Sequence, residues 1–267
     1  MLSGQSNMQG IGLLKNLGED WQQPIPEAQF WNGKAFETLD PGKTKLSSRA
    51  GEFGPELAFA KAMAAAHPGK TFYLIKFHRS GQPLYHGWDG NKWAGGDPQP
   101  GRANFYPGET KDDPAKGKHY LDMMKVYGSA LDALRKEGKT PAIRGFLWMQ
   151  GEQDAKHEDS AATYAASLRR LKARIEEDLG AEAMPVAFGQ VLPHEPAMER
   201  FTQRAEIRAQ MAAADARSGK PESIPGVTMV STDGFPLKPD TVHYDAKGQV
   251  MLGEAFAKAL LGAAISR

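Results

Sequence analysis

The sequence predicts an α/β fold: a three-layer α/β/α sandwich around a central parallel sheet. Two observations carry this. Short, almost wholly apolar runs rich in β-branched and aromatic residues recur along the chain, as suits strands covered on both faces. Helical stretches of 12 to 20 residues separate them, and strands alternating with helices of that length pack as a parallel sheet between helix layers.

Taken in order, the strands predicted are Thr71–Phe77, Ile143–Met149, Pro185–Leu192 and Val227–Ser231. The helices predicted are Pro55–Ala66, Tyr120–Glu137, Ser160–Leu179, Met198–Ala216 and Ala246–Leu261, with Gly138 and Gly180 as C-terminal stops after two of them. Between Gln82 and Lys118 the chain is rich in Gly, Pro, Asp and aromatic residues and has no period. A segment of this kind inside a compact unit is usually functional. It reads as a loop insertion over the mouth of a site, within one domain spanning residues 1–267. A parallel α/β unit normally enters its first loop from a buried strand. Only Met1-Leu2-Ser3 precedes Gly4, which predicts either a very short first strand or one that lies upstream of this sequence.

The bulk chemistry excludes several functions. Thirty-three basic residues stand against 32 acidic ones in 267, so no basic face speaks for nucleic acid or a membrane surface as partner. The absence of cysteine removes thiol nucleophiles, thiolate zinc sites and disulfides. No apolar run approaches the roughly 20 residues of a membrane span. No glycine-rich phosphate loop is present, and His157 and His194 with the nearby carboxylates match no metal spacing.

Four polar elements remain. In Gly4-Gln5-Ser6-Asn7-Met8, a glycine before a serine allows a sharp turn from strand to helix. Ser6 then lies at a helix start, either as a nucleophile awaiting a base or as an ordinary N-cap. In Asp240-Thr241-Val242-His243 a carboxylate can sit beside an imidazole and fix its tautomer. Asp233 and Asp245 compete with Asp240 for that place. Gln150-Gly151-Glu152-Gln153-Asp154 closes an apolar strand, where Gln150 can offer an N–H to an oxyanion and Glu152 and Asp154 can order the loop. Arg79-Ser80-Gly81-Gln82 follows another strand, and Gly81 lets a backbone N–H approach a ligand.

These blocks resemble those of the SGNH/GDSL hydrolases, in the branch of sialate O-acetylesterases and carbohydrate esterase family six. The first block is similar at Gly4–Met8, the third at Gln150–Asp154 and the last at Asp240–His243, and Phe53-Gly54-Pro55-Glu56-Leu57 resembles a further stretch of that branch. The likeness runs in order over nearly the whole chain. Arg79-Ser80-Gly81-Gln82-Pro83 departs from the usual glycine-rich second block.

The resemblance implies a flavodoxin-like sandwich and ester hydrolysis without metal or organic cofactor. Ser6 would be the nucleophile, His243 the base and Asp240 its orienter. The oxyanion hole would be the N–H groups of Ser6 and Gly81 with the Gln150 side chain, supported by Gln5, Asn7, Glu152 and Asp154. Acetylated carbohydrate is the implied substrate: polysaccharide, oligosaccharide or sialic acid. Arg79 would contact it, and Tyr85, Trp88, Trp93 and Phe105 could stack on a sugar face or simply pin the loop. A general carboxylesterase or lipase on the same fold would need a wide apolar channel, whereas the insertion is polar. A non-catalytic sugar-binding derivative would need a broken triad, and no position is lost. No signal peptide opens the sequence, so the protein is expected to be exported if its natural start lies upstream and cytoplasmic otherwise.

Overall fold

A computed structural model describes residues 1–265. In chain order, β1 (Leu2–Gly4), α1 (Ser6–Gln9), β2 (Gly12–Leu13), β3 (Ile25–Trp31), β4 (Phe36–Leu39) and β5 (Glu52–Phe53) lead into α2 (Glu56–Ala66). Next come β6 (Phe72–Leu74), β7 (Lys76–His78), β8 (Trp88–Asp89), β9 (Lys92–Trp93) and α3 (Lys118–Lys136). The last part comprises β10 (Phe146–Met149), α4 (Glu158–Ala162), α5 (Tyr164–Leu179), β11 (Val186–Gly189), α6 (Arg204–Ala214), β12 (Val227–Val230) and α7 (Ala246–Ile265).

The main sheet is five parallel strands in the order β12-β11-β10-β1-β7. Its central strands are buried on both faces: Phe146 to Met149 and Val186 to Gly189 are all covered. Helices α2 and α7 pack together and cover one face, while α3 and α5 cover the other with α6 beside α5. This is the predicted α/β/α sandwich. The core gathers the apolar side chains of these layers, with Trp148, Tyr120, Tyr127, Tyr164 and Phe256 among its largest wholly buried members.

The first strand exists and is short. Three residues of β1 lie in the sheet interior, with Leu2, Ser3 and Gly4 in register with Leu147, Trp148 and Met149 on one side and Lys76, Phe77 and His78 on the other. The run Thr71–Phe77 is not one strand: it breaks at Ile75, β6 joins β3 in a separate three-stranded sheet, and β7 joins the main sheet. The predicted helix Ser160–Leu179 is interrupted at Thr163, whose φ/ψ of −107°/12° separates α4 from α5. Residues before Arg204 in the predicted helix Met198–Ala216 form turns instead. Gly138 (φ 76°) and Gly180 (φ 64°) stand in the left-handed region, as helix stops require.

The stretch from 82 to 118 is ordered by its own chemistry. A hairpin of β8 and β9 is tied down by buried Asn104, whose amide donates to Trp88 O at 2.7 Å. The Leu84 and Tyr85 N–H groups donate to the two carboxylate oxygens of Asp154 at 2.8 and 3.0 Å. The insertion is therefore docked on the loop that follows β10.

Candidate active site

Gly4 ends β1 with φ 150°, and a Cβ there would lie 1.9 Å from Met149 O. Only glycine lets β1 run this close to β10 before the chain turns. Gln5 N–H then donates to Met149 O (2.9 Å), and Gln5 O accepts from Met8 and Gln9 N–H at 3.0 and 2.8 Å, closing the single turn of α1. Ser6 is its first residue and is 5 % exposed. The N–H groups of Ser6 and of Gly81 (φ 68°) have no intramolecular acceptor among the described residues.

At the other end of the chain, Asp240 Oδ1 accepts from Val242 and His243 N–H at 3.0 and 2.9 Å, and Lys238 N–H donates to His243 O at 2.7 Å. This tight turn, with Thr241 at φ 59°, aims the imidazole outward from the loop. His243 Nδ1 lies 2.7 Å from Asp240 Oδ2, and His243 Nε2 lies 2.9 Å from Ser6 Oγ. With the proton on Nδ1, the carboxylate accepts it and Nε2 is left to accept from the serine hydroxyl. Burial alone would raise the Asp240 carboxyl, but the bonds from His243 N–H, the His243 ring and Val242 N–H outweigh it and hold the group below its usual value. The competing carboxylates are occupied elsewhere: Asp233 pairs with Arg208 at 2.7 Å, and Asp245 accepts from Gly248 N–H at 2.8 Å.

Asn7 joins these two ends. Its amide donates to Glu152 Oε1 (2.7 Å) and Val242 O (3.0 Å), and its Oδ1 accepts from Tyr244 N–H (3.1 Å). The residues either side of His243 are thus fixed by the neighbour of Ser6. Glu152 is 2 % exposed, and its Oε2 has no hydrogen-bond partner. Burial pushes its carboxyl up, against the Asn7 bond. Gln5 Oε1 faces the Gly151 and Gln153 N–H groups at 3.5 Å, so Gln5 braces the same loop.

Other predicted positions fall differently. Gln150 is wholly buried, and its amide nitrogen donates to Asp154 Oδ2 (2.5 Å) and Gln82 O (3.2 Å). Its Oε1 lies 3.2 Å from Tyr164 OH. Both amide hydrogens are engaged, so Gln150 offers no free donor and instead fastens the loop. Asp154, with three hydrogen bonds to its carboxylate, is pushed up to about 6 by burial in spite of the Leu84, Gln150 and Tyr85 donors.

Arg79, expected at the substrate, pairs with Asp122 (3.6 Å) and lies over the Phe77 ring (4.8 Å). Trp88 is 4 % exposed and donates to Ser160 Oγ, and Phe105 is wholly buried, so both pin the loop and neither presents a face. Tyr85 and Trp93 are half-buried with parallel rings 5.9 Å apart, and Trp93 stacks on His157.

Sequence reasoning missed Lys76, Ser47 and Gln249, which hold carbonyls of the Ser6 turn. A lysine inside an apolar strand run was the available signal for the first of these. No group of three metal-ligating side chains forms among the described residues, and none of their helices is long and apolar enough to cross a membrane.

A family model described as carbohydrate esterase, sialic acid-specific acetylesterase, matches residues 1–262. No curated protein sequence matches. Among solved structures, a protein of Arabidopsis thaliana is similar at TM-score 0.70 and 20 % identity, over 98 % of this chain and 96 % of that one. NanS is similar at TM-score 0.66 and 16 % identity, over 100 % and 97 %. A carbohydrate acetylesterase from Xanthomonas citri is similar at 0.57 and 15 %, over 100 % of this chain and 56 % of its own. At these identities the three structures speak for the fold.

Proposed function

The chain belongs to the carbohydrate esterase family of sialic acid-specific acetylesterases, and from that membership we propose that it removes O-acetyl groups from carbohydrate through Ser6, His243 and Asp240. The observation that carries this reading is the hydrogen-bonded line from Ser6 Oγ through both ring nitrogens of His243 to Asp240, across 237 residues of sequence.

His243 takes the Ser6 proton as the oxygen attacks the ester carbonyl. The Ser6 and Gly81 N–H groups, without acceptors of their own, receive the oxyanion, each worth on the order of 3 kcal/mol to the barrier. His243 then protonates the departing sugar alcohol, and a water activated by the same ring releases acetate. Asp240, kept ionised by its hydrogen bonds, stabilises the imidazolium formed in both steps. Gln150 contributes by holding Asp154 and the Gln82 carbonyl, which fixes the loop that carries Gly81. Within one catalytic domain, the docked 82–118 segment walls the site, and Tyr85 and Trp93 are the rings of that segment left for a sugar face.

The test is acetate release from acetylated xylan, mannan, pectin and O-acetylated sialic acid, by wild type and Ser6→Ala. Loss of activity by about 10³-fold or more, with unchanged circular dichroism, is expected of the variant. Wild-type turnover by Ser6→Ala would overturn the proposal.

A further inference from the structure

Lys76 sits on β7, the edge strand of the main sheet, yet its side chain is only 2 % exposed. A buried ammonium is costly unless every donor is used. All three are: Lys76 Nζ donates to Glu56 Oε2 (2.6 Å), Leu46 O (2.7 Å) and Gln9 O (2.9 Å). Glu56, whose side chain is wholly buried, uses its other oxygen to accept from Gly54 N–H at 2.9 Å. The lysine is thus anchored to the Phe53–Leu57 block at one side and to the last residue of α1 at the other.

α1 is a single turn and leaves its final carbonyls without helical partners. Gly10 O is met by Ser47 Oγ (2.5 Å), Gln9 O by Lys76 and Asn7 O by Gln249 Nε2 (3.3 Å). The backbone beneath is in direct contact: a Cβ on Gly10 would lie 2.0 Å from Gly54 Cα, and one on Gly54 would lie 2.8 Å from Met8 O. One such turn has no stability of its own. Its place, and with it the place of Ser6, is set by what grips these carbonyls.

We propose that the buried Glu56–Lys76 pair, with Ser47, is the positioning device that holds the Ser6 turn at its hydrogen-bonding distance from His243. This rests on the reading of Ser6 as nucleophile. A cation at the end of a helix also suits the partial negative charge there. Displacing a reacting group by about 1 Å costs about 10²-fold in rate, so the device acts on turnover more than on substrate binding.

Lys76→Met alone strands the Glu56 charge and is expected to unfold the protein or nearly so. The informative variants are Lys76→Met/Glu56→Gln, which removes both charges at similar volume, and Ser47→Ala, which deletes the short bond to Gly10 O together with the longer one to Glu52 Oε2 (3.4 Å). Both are assayed on 4-nitrophenyl acetate for kcat and KM and with a fluorophosphonate probe for the rate of Ser6 labelling. Leu171→Ala, in the core on the far face of the sheet, controls for lost stability. The double variant is expected to lose about 10–100-fold in kcat and in labelling rate with KM within twofold, and Ser47→Ala about 3–10-fold.

If the double variant does not fold, Ser47→Ala decides alone. Wild-type kcat in either folded variant, or a loss no greater than in Leu171→Ala, overturns the proposal. An active Ser6→Ala would overturn the nucleophile assignment instead, so the two failures are told apart.

Discussion

Asn7→Ala is the most telling single substitution. The side chain is 1 % exposed and makes three bonds, to Glu152 Oε1, Val242 O and Tyr244 N–H. Deleting it leaves a buried carboxylate with neither oxygen partnered, since Glu152 Oε2 has no partner to begin with. A carbonyl and an amide also lose their partner. Each buried group left unsatisfied costs about 1–3 kcal/mol, and water entering the space vacated offsets part of it, so the expected loss is about 4 kcal/mol. At a slope of about 3 kcal/mol/M in urea, that moves the unfolding midpoint down by about 1.3 M. Trp148 fluorescence within the core provides the readout. The same change frees both neighbours of His243, so kcat on 4-nitrophenyl acetate should fall about 10²-fold. Asn7→Asp separates the contributions. It keeps an acceptor for Tyr244 N–H but sets a second carboxyl against Glu152, so one of the two must hold a proton. Its stability relative to wild type should therefore be better at pH 5 than at pH 8. A stability loss below about 1 kcal/mol in Asn7→Ala, with kcat within threefold of wild type, would refute the account of Asn7 as the clamp between Ser6 and His243.

Two further outcomes are expected. Asp240→Asn can keep accepting from the Val242 and His243 N–H groups but presents an amide hydrogen to Nδ1, which favours the wrong tautomer of His243. Steady-state hydrolysis should drop by about 10³–10⁴ in kcat/KM, and retention of a tenth of the activity would remove Asp240 from its role. Acid should weaken the fold through His78, pushed down to about 3 by burial and by the charges of Lys76, Arg79 and Lys45, with His119 pushed down to about 4 in the same way. Between pH 6.5 and those values the unfolded chain binds more protons than the folded one, so stability is complete above 6.5 and declines below it. Asp154, pushed up to about 6, acts in the opposite sense between 3.8 and 6, against two histidines. Urea midpoints at pH 7 and pH 5 should differ, and less so in His78→Gln. Equal midpoints in the wild type would contradict this.

The layers of the fold were legible because long apolar runs and long helices carry their pattern with them. Val186–Gly189 and Phe146–Met149 are buried throughout, and their sequences announce it. β1 has only three residues, too few for a period, and its identity rests on register with strands 74 and 145 positions away. Ile75 looks like the middle of a strand, yet the chain changes sheets there, because β3 and β1 claim the two halves separately. The residues from 10 to 52 carry no pattern that the sequence alone makes legible. Their strands are short, and they support the Ser6 turn from the side.

The site divides by the same rule of distance. Asp240 and His243 lie three residues apart, so one turn suffices to join them, and their spacing could be read directly. Gln150 and Asp154 are also close, at i and i+4, and a short amide–carboxylate bond follows once the loop curls. That local pairing takes one amide hydrogen of Gln150, and the distant Gln82 carbonyl takes the other, which no local pattern announces. Lys76 is the opposite case. Its partners come from residues 9, 46 and 56, and no local pattern could say that a charged residue in a β run would be buried and fully bonded. Ser6 depends on both kinds of contact. The turn that carries it follows from Gly4, but its distance to His243 is fixed by Asn7, Lys76 and Ser47, whose partners lie up to 237 residues away in sequence. The chemistry of such a site is written in short motifs, whereas its precision belongs to the folded core beneath them.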